Sequence, residues 1–106
     1  MDSKSLATSF IECFCKADLS GINALLSSDF QLKGPLYEFD SKQAYINSLE
    51  GNLEADANAE IISVISNDNE AAAFYRYKGN TIGQLFWCRG GEIYETLLVF
   101  DTDTVA

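Results

Sequence analysis

The chain has 106 residues, of which 47% are apolar and 22% are charged, an ordinary composition for one globular domain. Its formal net charge is −9, and its seven lysines and arginines are scattered singly. This charge repels phosphate backbones, so nucleic acid is not an expected partner. Because the sequence contains no histidine, a serine–histidine triad and a histidine-ligated metal are excluded.

The cysteines and the N-terminus indicate the cellular setting. Cys13, Cys15 and Cys88 lack the spacing of metal ligands, and we expect small buried hydrophobes in a reducing compartment. The sequence therefore predicts no metal site and no cofactor. No signal peptide is evident, and no segment reaches the roughly 20 apolar residues that span a bilayer. We expect a soluble, cytoplasmic protein with no membrane partner.

The first half of the chain has the apolar periodicity of helices. In chain order it predicts a helix over 5–17, a second helix ending at 27–29, a short strand over 30–33 and a third helix over 42–49. Suitable N-caps precede them: Ser3 or Ser5, Asp18 or Ser20, and Ser41. Residues 50–59 are predicted to form an acidic loop without a core of its own.

From residue 60 onward the apolar period changes to two, which is typical of strands. The predicted strands cover 60–66, 71–78, 82–89 and 92–101, with turns at 67–69, 79–80 and 90–91. Helices followed by an antiparallel meander define an α+β domain, which we expect to span residues 1–106.

The last strands carry large apolar side chains on both alternating faces. Leu85, Trp87, Leu97 and Val99 would lie opposite the face that the helices cover. Three short helices can cover only one face, and a second copy of the chain is the simplest cover for the other. We therefore expect a homodimer formed through this outer face; a monomer with an exposed apolar sheet is the alternative.

Several loose motifs occur in a characteristic order along almost the whole chain. They are Ala17-Asp18-Leu19-Ser20-Gly21-Ile22, Leu25-Leu26, Asp29-Phe30, Gly34-Pro35, a short helix after Asp40, and a Gly90-Gly91-Glu92-Ile93 hairpin leading to Phe100-Asp101. In these features the chain resembles the nuclear transport factor 2-like (cystatin-like) superfamily, within it the SnoaL-like and ketosteroid-isomerase-like branch. The resemblance implies a cone-shaped α+β barrel, with three N-terminal helices packed on a curved antiparallel sheet. It names no reaction, because the superfamily includes isomerases, cyclases, hydrolases and dehydratases.

The ketosteroid-isomerase chemistry requires a carboxylate base, an oxyanion-binding tyrosine and a protonated carboxylic acid. By the resemblance, these three positions fall on Gly34, Phe10 and, within a residue or two, Gln84. None carries the required group, so we reject this chemistry for the chain. The Gln84 amide could still donate a hydrogen bond to a ligand carbonyl; a solvated or backbone-bonded amide is the alternative.

The resemblance also implies a pocket lined by alternate residues of the last strand and by the helices. The predicted lining is Phe10, Phe14, Leu32, Tyr37, Tyr45, Gln84, Phe86, Tyr94, Thr96, Leu98 and Phe100. Such a lining suits a flat or cyclic hydrophobic ligand. In so short a chain these side chains could instead fill the cone completely.

Three carboxylates lie near the expected pocket, and Glu38 is the weak candidate for a catalytic base. Asp40 is better explained as part of the third helix's N-terminal cap, and Glu95 as a cross-strand partner of Arg76 or Arg89. A hydrolase-like network would need Asp101, Arg76 and Gln84 to converge. Whether the chain is an enzyme is left open by the sequence.

Three functions are compatible with these observations. The preferred one is a SnoaL-like protein that binds a hydrophobic small molecule, with no assignable reaction. The second is a SnoaL-type isomerase, cyclase or hydrolase acting on a polycyclic or carbonyl compound. The third is a protein-interaction module that uses the outer sheet face.

Overall fold

The three helices begin at side chains that accept hydrogen bonds from the first-turn N–H groups. In the computed structural model, which describes residues 1–101, Asp2, Asp18 and Ser41 are the N-caps. The helices are α1 (Ser3–Cys15), α2 (Leu19–Leu25) and α3 (Lys42–Leu49). The cap of α1 is therefore Asp2 rather than Ser3 or Ser5. Residues 102–106 of the predicted domain lie outside the described residues.

A single residue in the left-handed region ends α1. Ala17 has φ of 57°, and the Asp18 N–H donates to the Cys13 carbonyl at 2.8 Å. The Ala17 N–H donates to the Phe14 carbonyl at 3.1 Å, which completes a Schellman motif. This motif reverses the chain within two residues and brings α2 beside α1.

Within residues 1–101, six strands form one mixed sheet in the order β2-β1-β6-β5-β4-β3. They are β1 (Leu26–Lys33), β2 (Glu38–Phe39), β3 (Glu60–Ser66), β4 (Glu70–Tyr77), β5 (Asn80–Arg89) and β6 (Glu92–Phe100). The predicted α+β class is confirmed. The sheet is mixed rather than wholly antiparallel, because β1 pairs with β6 in parallel. No hairpin joins these two strands, so nothing local forces them to run in opposite directions.

The strand β1 begins four residues earlier than the sequence predicts. Ser27, Ser28 and Asp29 do not terminate α2 as a loop would; they belong to the strand. The Ser27 hydroxyl donates to the Asp29 carboxylate at 2.5 Å, and Arg89 donates to the same carboxylate at 2.7 Å. Because these hydrogen bonds pair the Ser27 and Asp29 side chains, the polar segment 27–29 can form part of the strand.

Two hairpins of the meander, β4–β5 and β5–β6, use two-residue turns. Lys78 and Gly79 both have positive φ, 52° and 81°, and they connect the paired residues Tyr77 and Asn80. This is the geometry of a type I′ turn. The turn is therefore one residue earlier than the predicted position at 79–80.

The inner face of the sheet carries the core. α1 packs across β3, β4 and β5, and α3 packs on β1. The largest fully buried side chains are Phe10, Phe30, Phe86, Leu6, Ile11, Ile22, Leu26, Leu32 and Ile93. No helix among residues 1–101 has the length and apolar character needed to cross a membrane.

Candidate ligand-binding site

A cavity of about 250 Å³ opens between the helices and one end of the sheet. Its walls come from α1, α3, the β4–β5 hairpin and the end of β6. The lining residues are Phe10, Phe14, Tyr37, Tyr45, Tyr75, Tyr77, Lys78, Asn80, Ile82, Gln84, Leu98 and Phe100. We call this space the cavity.

Aromatic rings form one wall of the cavity. Phe14 stacks on Phe10 with ring centroids 6.3 Å apart, and it meets Tyr77 edge-on at 5.1 Å. Phe10 in turn packs edge-on against the buried Phe86 at 5.3 Å. Because each ring is held by another, this wall has a fixed shape.

Tyr75 and Gln84 form the polar part of the cavity floor, and the buried Thr96 supports them from the core behind it. The Tyr75 hydroxyl donates to Gln84 Oε1 at 2.7 Å, and Gln84 Nε2 donates to Thr96 Oγ1 at 2.8 Å. The Thr96 hydroxyl then donates to the Leu85 carbonyl at 2.9 Å. These bonds fix the orientation of the Gln84 amide. In a flipped amide Oε1 would face Thr96 and would need its hydroxyl proton, which would break the bond from Thr96 to the Leu85 carbonyl. The Gln84 amide is thus neither solvated nor bonded to backbone.

Tyr45 is the tyrosine that α3 brings to the cavity. Its ring is only 4% exposed and lies between Phe30 and Phe39, with centroids 5.4 and 5.6 Å away. Burial raises the pKa of both Tyr45 and Tyr75 above the ordinary phenol value, so both stay neutral at physiological pH.

One cation lies at the mouth of the cavity, in the β4–β5 turn. Lys78 Nζ is 2.8 Å from a Glu54 carboxylate oxygen, and the Lys78 backbone N–H donates to Asp56 at 2.7 Å. The Tyr77 hydroxyl donates to the Glu54 carbonyl. These contacts anchor the acidic loop to the hairpin, and the Glu54 carboxylate balances the lysine charge.

Seven of the predicted pocket residues lie together around the cavity: Phe10, Phe14, Tyr37, Tyr45, Gln84, Leu98 and Phe100. Their contact with a ligand remains a prediction. The aromatic wall and the end of β6 both border this cavity, and that the cone holds an open pocket for a ligand remains a prediction.

Four predicted pocket residues lie elsewhere. Leu32, Phe86 and Thr96 are on the inner face but are sealed in the core, at 2%, 0% and 0% exposure. Tyr94 is displaced by a β-bulge, since Trp87 pairs with Glu95 and Cys88 with Ile93. The bulge interrupts the alternation that the prediction assumed, and the Tyr94 ring instead lies 4.5 Å from the Arg89 guanidinium.

The β4–β5 hairpin supplies the lining residues that the sequence analysis missed. They are Tyr75, Tyr77, Lys78, Asn80 and Ile82. The sequence did contain a signal for the two tyrosines. They follow Ala71 and Ala73 at a spacing of two, so all four residues lie on the same face of β4. The prediction drew the lining from the helices, the last strand and a few neighbouring positions, and it included no residue of β4.

The candidate carboxylates do not enter the cavity. Glu38 is exposed on β2, and Asp40 is exposed before α3. Glu95 lies 3.7 Å from Lys33, which corrects the proposed pairing with Arg76 or Arg89.

The hydrolase-like network is not assembled either. Arg76 pairs with Glu60, and both side chains are more than half exposed. Gln84, by contrast, is buried at the cavity floor. The arginine and the amide that such a network requires therefore do not converge. No Asp or Glu is among the described residues that line the cavity.

A larger groove of about 590 Å³ runs between α1 and residues 55–61. Its lining is mostly short or charged, with Ala55, Ala57 and Ala59 beside Glu12, Lys16, Asp56 and Glu60. Ligand sites are usually concave and apolar with few convergent polar groups. The smaller aromatic cavity therefore fits a ligand site better than this groove.

The fold has many structural neighbours, although no protein-family model and no curated protein matches the chain. An NTF2-like protein of unknown function from Cytophaga hutchinsonii has a TM-score of 0.85 at 17% identity, over 99% of this chain and 95% of its own. A SnoaL-like protein of unknown function from Burkholderia thailandensis has a TM-score of 0.75 at 16% identity, over 93% of each chain. A protein provisionally named a polyketide cyclase, from Pseudomonas putida, has a TM-score of 0.77 at 17% identity, over 97% and 94%.

These neighbours define the class of fold. The chain has the cone-shaped α+β fold of nuclear transport factor 2-like proteins, so the predicted superfamily resemblance is confirmed at the level of the fold. Identities of this size carry no activity from one protein to another.

Proposed function

We propose that the chain binds a small, mostly apolar molecule in the cavity. The observation that carries this proposal is a partly enclosed space of about 250 Å³ whose lining is predominantly aromatic and aliphatic, with a fixed polar group at its floor. Pockets for drug-sized ligands usually begin at about 300 Å³. The ligand we expect is therefore of one or two rings.

Binding is a better explanation of this cavity than catalysis by a carboxylate base. General-base catalysis needs a titratable group within hydrogen-bonding reach of the substrate. Glu38, the weak candidate, is exposed, and the described lining contains no carboxylate. The SnoaL-type enzyme thus remains the second reading, supported by the fold alone.

Isopropylnaphthalene, an uncharged two-ring hydrocarbon, is a suitable probe for the test. Titration followed by amide chemical shifts should move the signals of Tyr75, Gln84 and Leu98 around the cavity. Ile82→Trp should weaken binding because the larger side chain occupies cavity space. Thr81→Trp is the matched control, since Thr81 precedes Ile82 and is exposed outside the lining.

Two results would contradict the proposal. One is the absence of saturable shifts in the wild-type protein. The other is a set of shifts confined to outer-face amides and insensitive to Ile82→Trp, which would favour the protein-interaction reading.

We also propose that a second copy of the chain covers the outer face of the sheet. Phe74, Gly83 and Val99 are register partners across β4, β5 and β6, and the Phe74 ring extends over Gly83. Phe74 and Val99 are 46% and 61% exposed. With Leu85, Trp87 and Leu97 they form an apolar patch on adjacent strands. A patch of this kind can pair with itself about a two-fold axis.

A further inference from the structure

The Tyr45 hydroxyl is a buried polar group without a protein partner. Tyr45 is 4% exposed, and its hydroxyl makes no hydrogen bond to any residue in the described part of the chain. Within residues 1–101, no side-chain nitrogen or oxygen is both sealed from solvent and unpartnered. The small exposed area of Tyr45 therefore includes its hydroxyl, and Tyr45 lines the cavity.

The neighbouring polar groups leave a defined set of free donors and acceptors. Tyr75 uses its proton on Gln84 Oε1, so it can offer only lone pairs. One N–H of the Gln84 amide goes to Thr96, and no described residue accepts the other. Tyr45, Tyr75 and Gln84 all line the cavity. The Tyr45 O–H and the spare Gln84 N–H are thus the donors that these three lining residues leave free.

None of the described residues at the floor of the cavity is charged. Lys78 is the one charged residue in the described lining, and it lies in the hairpin turn at the mouth, paired with Glu54. A carboxylate at the floor would lose its hydration without gaining a counter-charge. A neutral oxygen would lose much less and would gain a hydrogen bond from the Tyr45 hydroxyl.

We propose that Tyr45 orients the ligand by hydrogen bonding to an uncharged oxygen, a carbonyl or a hydroxyl, carried at the buried end of an apolar body. This rests on the proposed function, since it requires a ligand in the cavity. The remaining apolar lining, including Phe14, Leu98 and Phe100, packs against the body of that molecule.

Three naphthalenes of similar size test the proposal. They are methyl naphthyl ketone, isopropylnaphthalene, which has the same outline without the oxygen, and naphthoate, which carries a negative charge. Dissociation constants are measured by chemical-shift titration on the wild type, on Tyr45→Phe and on Tyr94→Phe. The last is the matched control, because Tyr94 lies outside the cavity beside Arg89.

The expected result is a selective loss of affinity. Tyr45→Phe should weaken ketone binding about 3- to 10-fold, the range of one neutral hydrogen bond, and leave isopropylnaphthalene unchanged. Tyr94→Phe should change neither constant. Naphthoate should bind more weakly than the ketone to the wild type. The carbonyl infrared band of the bound ketone should lie at lower frequency in the wild type than in Tyr45→Phe.

The possible failures are distinguishable. If no naphthalene binds in the cavity, the proposed function is wrong and this inference falls with it. If isopropylnaphthalene binds but Tyr45→Phe leaves the ketone affinity and its carbonyl band unchanged, the function stands and the role of Tyr45 is wrong. Naphthoate binding as tightly as the ketone would overturn the neutral-oxygen specificity. If Tyr45→Phe fails to fold, the carbonyl band of the ketone bound to the wild type is compared with that of the ketone in an apolar solvent. Equal frequencies would contradict the proposal.

Discussion

At the scale of single residues, Ala17 carries a conformational cost that a glycine would not. Its φ of 57° lies in the left-handed region, where a Cβ is unfavourable by roughly 1–2 kcal/mol. Replacing Ala17 by glycine would remove this cost. Part of the gain would be lost, because glycine has more conformational freedom in the unfolded chain. The Schellman hydrogen bonds show that the fold requires this conformation at the end of α1.

Ala17→Gly should therefore raise the free energy of unfolding by about 0.5–1 kcal/mol. The measurement is urea unfolding followed by circular dichroism. Ala44→Gly, an exposed position inside α3, is the matched control and should lower stability by about 0.5–1 kcal/mol. Equal destabilisation by both substitutions would show that the α1 terminus is not conformationally strained.

Thr96 is the residue on which the buried polar chain depends. It accepts from Gln84 and donates to the Leu85 carbonyl, and it is fully buried. Thr96→Val keeps the shape of the side chain but leaves a buried Gln84 N–H without its acceptor and removes the hydroxyl bond to the Leu85 carbonyl. We expect a loss of about 1–3 kcal/mol in the free energy of unfolding.

The matched control for Thr96→Val is Thr81→Val on the neighbouring strand, because Thr81 is exposed. Its effect should stay within about 0.5 kcal/mol. Denaturant unfolding measures both. If Thr96→Val were as mild as the control, the hydrogen-bond chain would contribute nothing net to stability.

At the scale of elements, the Asp56 carboxylate is one of the groups that hold the loop 50–59 to the β4–β5 hairpin. Asp56 accepts from the backbone N–H of Lys78 at 2.7 Å and of Asn58 at 2.9 Å. Its own N–H donates to the Cys15 carbonyl at 2.9 Å. The backbone hydrogen bonds from Lys78 and then Asn58 lower the pKa of Asp56 below its ordinary 3.8.

This lowered pKa fixes the direction of a pH effect. The contribution of Asp56 is fully present above pH 3.8 and is lost as the pH falls through the lower value of the folded state. Hydrogen-exchange protection of the Lys78 amide should therefore disappear on acidification below that range. Asp56→Ala should remove the protection already at pH 7.

Asp68→Ala, in the exposed β3–β4 turn, is the control for Asp56→Ala and should leave the Lys78 amide protected. Protection that persists in Asp56→Ala at neutral pH would mean that the hairpin holds the loop by other contacts. The neighbouring Tyr77–Glu54 bond is the first alternative to examine.

The elements that the sequence predicted are those defined by local signals. α3 was predicted with its correct ends because Ser41 caps it and Gly51, with φ of 74°, follows it. β2 was not predicted, because two residues are too few to show a periodicity. They form a strand because they pair with β1, with Phe39 opposite Leu32. The parallel pairing of β1 with β6 is likewise a non-local contact that no short window contains.

The candidate site follows the same division. Phe10 and Phe14 could be placed from helical spacing, and Leu98 and Phe100 from strand alternation. Tyr94 could not, because a bulge next to Cys88 changes which residues face inward. The unpartnered Tyr45 hydroxyl is a property of three-dimensional packing and has no sequence signature.

At the scale of the whole molecule, the apolar outer face of the sheet determines whether the chain is a monomer or a dimer. Val99 lies in the row with Gly83 and Phe74, and its side chain is 61% exposed. A lysine there can reach solvent in a monomer, so the substitution leaves the fold intact. In a dimer the same lysine would lose hydration opposite an apolar patch.

The wild-type protein should therefore sediment at twice the chain mass at micromolar concentration, and Val99→Lys should sediment as a single chain. Ala24→Lys adds the same charge on the exposed side of α2 and should leave the dimer unchanged. A wild-type species of single-chain mass would contradict the proposed dimer. If both lysine variants were monomeric, the association would depend on net charge rather than on the outer face. Each variant changes the net charge of −9 by one unit.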